Sequence, residues 1–168
     1  LNPIQVINNN RPFLLFLHGT ASSTIGSFGD LKNTKAWESI FDYYQGNILA
    51  YQHESLTKSV LENTEELLTL LPKGIELHII SQSRGGLIGE ILCRYSFDPR
   101  GSLGFSTEAK NKLEEENRTR DINSIKNIDT ILKTKDFKVS KFIRVACPAA
   151  GTSLAAERLN VYLNTLFN

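Results

Sequence analysis

Residues 75–95 read Ile-Glu-Leu-His-Ile-Ile-Ser-Gln-Ser-Arg-Gly-Gly-Leu-Ile-Gly-Glu-Ile-Leu-Cys-Arg-Tyr. Ile75 to Ile80 is an apolar run of strand length, and from Gly85 to Tyr95 the residues Leu87, Ile88, Ile91 and Leu92 recur at helical spacing. Four residues, Ser81-Gln82-Ser83-Arg84, separate the two patterns. A strand that turns so abruptly into a helix strains its central residue, and bulky side chains two positions to either side collide with neighbouring backbone. Ser81 and Gly85 are small at those two positions. The bend is that of a nucleophile elbow, with Ser81 where a first glycine is usual. It presents Ser83 Oγ at the carboxyl edge of a sheet and at the positive end of the following helix, which suits attack on a carbonyl. By itself the pattern also fits an ordinary serine-rich turn.

Upstream, Phe13 to Leu17 is a continuous apolar run without alternation, the mark of a central strand covered on both faces. A Gly/Ser/Thr-rich loop without helical periodicity follows it, from His18 through Asp30. Trp37, Ile40, Phe41 and Tyr44 predict an amphipathic helix over about 34–44, ended by Gly46. Asn47 to Tyr51 is the next strand, and a helix over about 55–71 turns Val60, Leu67, Leu68 and Leu71 inward until Pro72 and Gly74 stop it. Ile4 to Ile7 reads as a short edge strand, set off by the turn-forming triplet Asn8, Asn9, Asn10.

Downstream of the elbow, residues from about 96 to 138 are polar, with Ile122, Ile125, Ile128 and Ile131 at threefold spacing, and read as a helical, cap-like insertion. Val139 to Ala146 resumes the strand pattern, and Leu154 to Phe167 has helical spacing. Strand and helix alternate along the chain. That predicts an α/β fold, a mostly parallel sheet with helices on both faces.

The 168 residues, 40% hydrophobic and 22% charged, have the size of one domain with a buried core. With 19 Lys and Arg against 18 Asp and Glu, the net charge of +1 offers no general hold on nucleic acid or anionic lipid. Cys93 and Cys147 make neither a disulfide framework nor a four-ligand zinc spacing, so they read as buried thiols of a reducing, cytoplasmic setting. No apolar run approaches the roughly 20 residues of a membrane span. The chain starts at Leu1 rather than Met, so a processed, truncated or incomplete N-terminus is expected, and the protein is expected to continue beyond residue 168.

A second motif sharpens the first. The strand Phe13 to Leu17 runs into His18-Gly19-Thr20, a strand followed by a His-Gly loop. A third lies at Phe142 to Ala146, followed by Cys147-Pro148-Ala149-Ala150-Gly151-Thr152. With these residues in this order the sequence resembles the α/β-hydrolase superfamily, in particular its lipase and esterase-like members, over about residues 11–95 and 138–168. The resemblance implies a serine hydrolase of ester-type substrates, small-molecule or lipid, without a cofactor. Ser83 would be the nucleophile, and the backbone N–H groups of Thr20 and Arg84 the oxyanion hole. His18 and Gly19 would order the loop beside the site, while Gly85 and Gly86 would let the helix approach the sheet. The Arg84 side chain is expected to face solvent or the insertion, with capture of an anionic substrate group as the alternative.

One departure stands out. A triad on this fold follows the order Ser, acid, His, yet His18, His53 and His78 all precede Ser83. His78 lies in the same strand, roughly 16 Å upstream. His53, just past a strand's carboxyl end, is a base candidate second to a surface or helix-capping role. Asp129, Asp136 and the run Glu114 to Glu116 read as a solvated face. Two expectations follow: the acid and histidine belong to further strands of a longer chain, or the domain is an inactive hydrolase-like module for binding or recruitment. Nucleotide binding by the Gly/Ser loop is excluded because no Lys-Ser/Thr follows its glycines.

Overall fold

A computed structural model describes residues 11–97 and 105–148. The expected strand at Ile4 to Ile7, the expected helix over Leu154 to Phe167 and the loop from Ala149 onward lie outside them. The fold is α/β. Strands β1 (Phe13–Leu17), β2 (Ile48–Tyr51), β3 (Ile75–Gln82) and β4 (Phe137–Val145) form one parallel sheet in the order β2-β1-β3-β4. The run Phe13 to Leu17 is buried at every position, as a central strand covered on both faces must be.

The register shows which residues share a face. Leu15 and Leu17 lie beside Ile79 and Ser81, and Leu14 and Phe16 beside His78 and Ile80. On the first face sit α3 (Val60–Leu70), α4 (Gly85–Phe97) and α6 (Thr119–Ile131), whose Leu67, Leu68, Ile88, Leu92, Ile125 and Ile128 join Leu15, Leu17, Leu77 and Ile79 in one core. On the second face lie α1 (Thr24–Phe28) and α2 (Lys35–Tyr44). There the Phe16 ring meets Phe28 at 4.9 Å and Trp37 at 6.4 Å, and Tyr44 Oη hydrogen bonds His78 Nδ1 at 2.7 Å. The connection toward β2 thus runs on one face and the connections toward β3 and β4 on the other, as a uniform crossover hand requires.

Local chemistry sets the element ends. Thr34 caps α2 by accepting from the Trp37 N–H, and Gln45 closes it with φ 48. The helix expected from residue 55 starts only at Val60, because Ser59 and Glu62 form a reciprocal capping box that fixes the first turn there. The loop after β1, expected to hold no helix, contains the short α1 and a 3-10 turn (Gly29–Asn33). Ser23 caps α1 by accepting from the Gly26 N–H, and five residues are too few to display a period. The described part of residues 96–138 holds the end of α4, α5 (Thr107–Glu115) and α6 before β4 begins at Phe137, and α6 packs along α3 with Ile125 and Ile128 in the main core. Among the described residues no helix is long and apolar enough to cross a membrane.

Candidate functional site

The elbow is where β3 meets α4. Ser83 has φ 51, a left-handed conformation that a serine adopts only when its surroundings impose it. Its N–H donates to the Val145 carbonyl, and its own carbonyl accepts from the Gly86 N–H, so β4 and the first turn of α4 hold the bend from both sides. Gly85 explains the small residue there. A Cβ on it would strike the carbonyl oxygens of Leu17 and His18, the latter at 2.6 Å. At Gly86 a Cβ would lie 2.5 Å from Cys147 Cβ.

The loop after β1 presses against this bend. A Cβ on Gly19 would sit 3.0 Å from Ser83 Cβ and would collide with Gln82 Oε1. Gln82 Oε1 also accepts from Ser27 Oγ at 3.2 Å, tying the far end of the loop to the elbow. Ser55 Oγ accepts from the Ala21 N–H, and Gln52 Oε1 from the Thr24 N–H. No local pattern in the sequence announces these polar ties. Gln82, inside the elbow motif, is the one signal of them. Among the described residues neither the Thr20 N–H nor the Arg84 N–H donates to an acceptor.

His18 is fully buried and both its nitrogens are engaged: Nδ1 donates to the Gly19 carbonyl at 2.9 Å and Nε2 accepts the His53 N–H at 3.2 Å. That pattern requires the neutral ring and leaves no nitrogen to take a proton from serine. The His53 ring stacks on His18 with centroids 3.9 Å apart. His53 is 3% exposed, so the expected surface or capping role is corrected: β2 ends directly alongside β1 and folds the ring beneath the loop. Neither His53 nitrogen has a hydrogen-bond partner. Burial first, then the neighbouring His18, push its pKa down to about 4; the Tyr51 carbonyl, from a position that closes no hydrogen bond, pulls the other way by more than Arg84 lowers it.

His78 is on the opposite face, held by Tyr44, and burial lowers its pKa. Asp129 accepts from Tyr95 Oη and pairs with Lys110, remote from the elbow. The Arg84 side chain does not face solvent: it is half-buried, and its Nη2 donates to the Lys58 carbonyl at 2.7 Å. Cys93 is half-buried with its pKa pushed up to about 11, chiefly by burial, which keeps it a thiol. No group of three or more His, Cys, Asp or Glu side chains among the described residues converges as a metal ion requires.

A family model described as a domain of unknown function, DUF7379, matches residues 2–103 of the 168. The chain belongs to the DUF7379 family. The DUF7379 match carries β1, the loop after it, β2, α3, the elbow and α4, and so contains every described residue placed around Ser83 except Val145 and Cys147. No curated protein and no solved structure matches the chain.

Proposed function

We propose that the protein is a serine hydrolase of ester-type substrates with an α/β-hydrolase-like core, in which Ser83 accepts the acyl group. The observation that carries this reading is the strained Ser83, φ 51, with the Gly19 loop packed on its Cβ. Ser83 Oγ attacks the acyl carbon, the carbonyl oxygen gains the negative charge, and the unengaged N–H groups of Thr20 and Arg84 are the donors that receive it. Each such donor is worth about 3 kcal/mol of transition-state stabilisation. The proton of Ser83 needs a base within hydrogen-bond reach. His18 and His78 are engaged elsewhere and His53 is unprotonated but buried, so the described residues supply the nucleophile and the donors and no evident base.

That last observation favours a second reading, a hydrolase-like module that binds without turnover. A fluorophosphonate probe separates the two. Covalent labelling of Ser83, abolished in Ser83→Ala, supports the hydrolase. A folded protein that stays unlabelled at high probe concentration supports the module. Turnover of p-nitrophenyl acetate that disappears in both Ser83→Ala and His53→Ala makes His53 the base.

A further inference from the structure

Arg84 is a half-buried cation with no anion beside it among the described residues. One guanidinium nitrogen is used on the Lys58 carbonyl, Nε is buried without a partner, and no carboxylate among the described residues lies within ion-pair distance. Its neighbour Lys58 is already paired with Glu54 and Glu66. Burial lowers the Arg84 pKa and no opposite charge offsets it. Proteins rarely leave a guanidinium in this condition, because a desolvated charge without a partner is costly.

His53 supplies an independent observation. It is 3% exposed, both ring nitrogens lack a hydrogen-bond partner, and its ring stacks on His18, whose carbonyl lies against Gly85 beside Arg84. His18, stacked against it, has no nitrogen to offer. The loop after β2 and the elbow thus each carry buried nitrogens with no acceptor among the described residues, and both lie against His18, the His53 ring by stacking and the elbow through Gly85, next to Arg84, at the His18 carbonyl. A buried polar group left so in a folded protein calls for a bound group or a water.

We propose that Arg84 Nε and the His53 ring receive an anionic oxygen group, a carboxylate or a phosphate, carried by the molecule that Ser83 acts on. The substrate part of this statement rests on the reading of Ser83 as the nucleophile; the anion site does not. Arg84 Nε–H donates to one oxygen and the neutral His53 N–H to a second, so the site presents a single positive charge and two donors. An ester with an acidic group near its acyl carbonyl meets both requirements.

The test has two arms. In the binding arm, the ring signals of histidine-labelled protein are followed by NMR while succinate, or separately inorganic phosphate, is added to the wild type and to Ser83→Ala. The His53 signal is identified by its loss in His53→Gln. A saturable shift of that signal in both proteins, weakened 10- to 100-fold in Arg84→Gln, is expected; Arg84→Lys keeps the charge without the planar fork and falls between. A response to succinate alone identifies a carboxylate, and one to phosphate alone a phosphate. No response to either overturns the site and leaves a buried water as the partner of those nitrogens. In the kinetic arm, p-nitrophenyl butyrate is compared with mono-p-nitrophenyl succinate. A kcat/KM ratio of 10 or more for the acidic ester, falling toward 1 in Arg84→Gln, supports the proposal, and equal rates in the wild type overturn it. Anion binding without probe labelling removes the hydrolase reading and keeps the site; labelling without anion binding does the reverse.

Discussion

On one face of the sheet, Leu15, Leu17, Leu77 and Ile79 are at most 1% exposed beneath α3, α4 and α6. On the other, Ile143 and Val145 remain 56% and 47% exposed, and α2, for all its one-sided pattern, has no fully buried residue. The first face also contains the fully buried Leu68, Ile88, Leu92 and Ile128. Each such side chain contributes on the order of 1.5–3 kcal/mol by leaving water. The second face contributes fewer, yet it carries the connection from which Gly19 and Ser27 reach the elbow. Stability is thus concentrated in one layer, while part of what shapes the site, the Gly19 and Ser27 contacts, comes from the other. Segments with few buried contacts are the ones that open and adapt at low cost.

The largest expected effect is on the deep face. Ile128→Ala should lower the free energy of unfolding in urea by about 2–5 kcal/mol, the range for an isoleucine whose cavity cannot collapse. A loss below about 1 kcal/mol would break the contrast. Next comes pH. The folded-state pKa of His53 is about 4 and its ordinary value 6.5, so the unfolded chain takes up the proton first. The stability linked to the neutral ring is complete above pH 6.5, falls as pH drops from there to 4, and totals on the order of 3 kcal/mol. His78 shifts in the same direction. Urea melts between pH 7.5 and 4.5 should show this slope, and His53→Gln should flatten it.

A smaller effect sharpens the role of the seam between the layers. Gly85→Ala sets a methyl against the Leu17 and His18 carbonyls, which cannot yield without moving β1, and should cost about 1–3 kcal/mol while reducing probe labelling of Ser83. Normal labelling with unchanged stability would show that the elbow tolerates displacement. The smallest is on the thin face: Phe41→Ser, at a residue 53% exposed, should change stability by no more than about 0.5 kcal/mol in the same melts.

The sheet was legible because strand-length runs such as the wholly apolar Phe13 to Leu17, and Ile75 to Ile80 with only Glu76 and His78 interposed, have one simple use in an alternating chain. The direction of α2 was legible at Trp37, Ile40 and Tyr44, since spacing tells which side turns inward, but not at Phe41, which is exposed. The shallow burial of the helix was not legible, because depth depends on neighbours and not on period. The elbow declared itself through small residues around Ser83. By contrast, the stacking of His53 on His18 depends on two strand ends 35 positions apart in sequence, and nothing local to either residue announces it. The inward turn of Arg84 was equally hidden, since its acceptor is a backbone oxygen at Lys58.

The order β2-β1-β3-β4 has one further consequence. From its carboxyl end β1 departs toward β2 along one face, while its neighbour β3 departs toward β4 along the other. Two adjacent strands whose connections diverge leave a crevice that no crossover spans, a topological switch point of the kind at which open α/β sheets hold their ligands. Gly19 and Ser83 stand on its two banks. On the proposed function, the place where a substrate would enter is a property of strand order, and substitutions in the loops would alter what fits there without moving the opening itself.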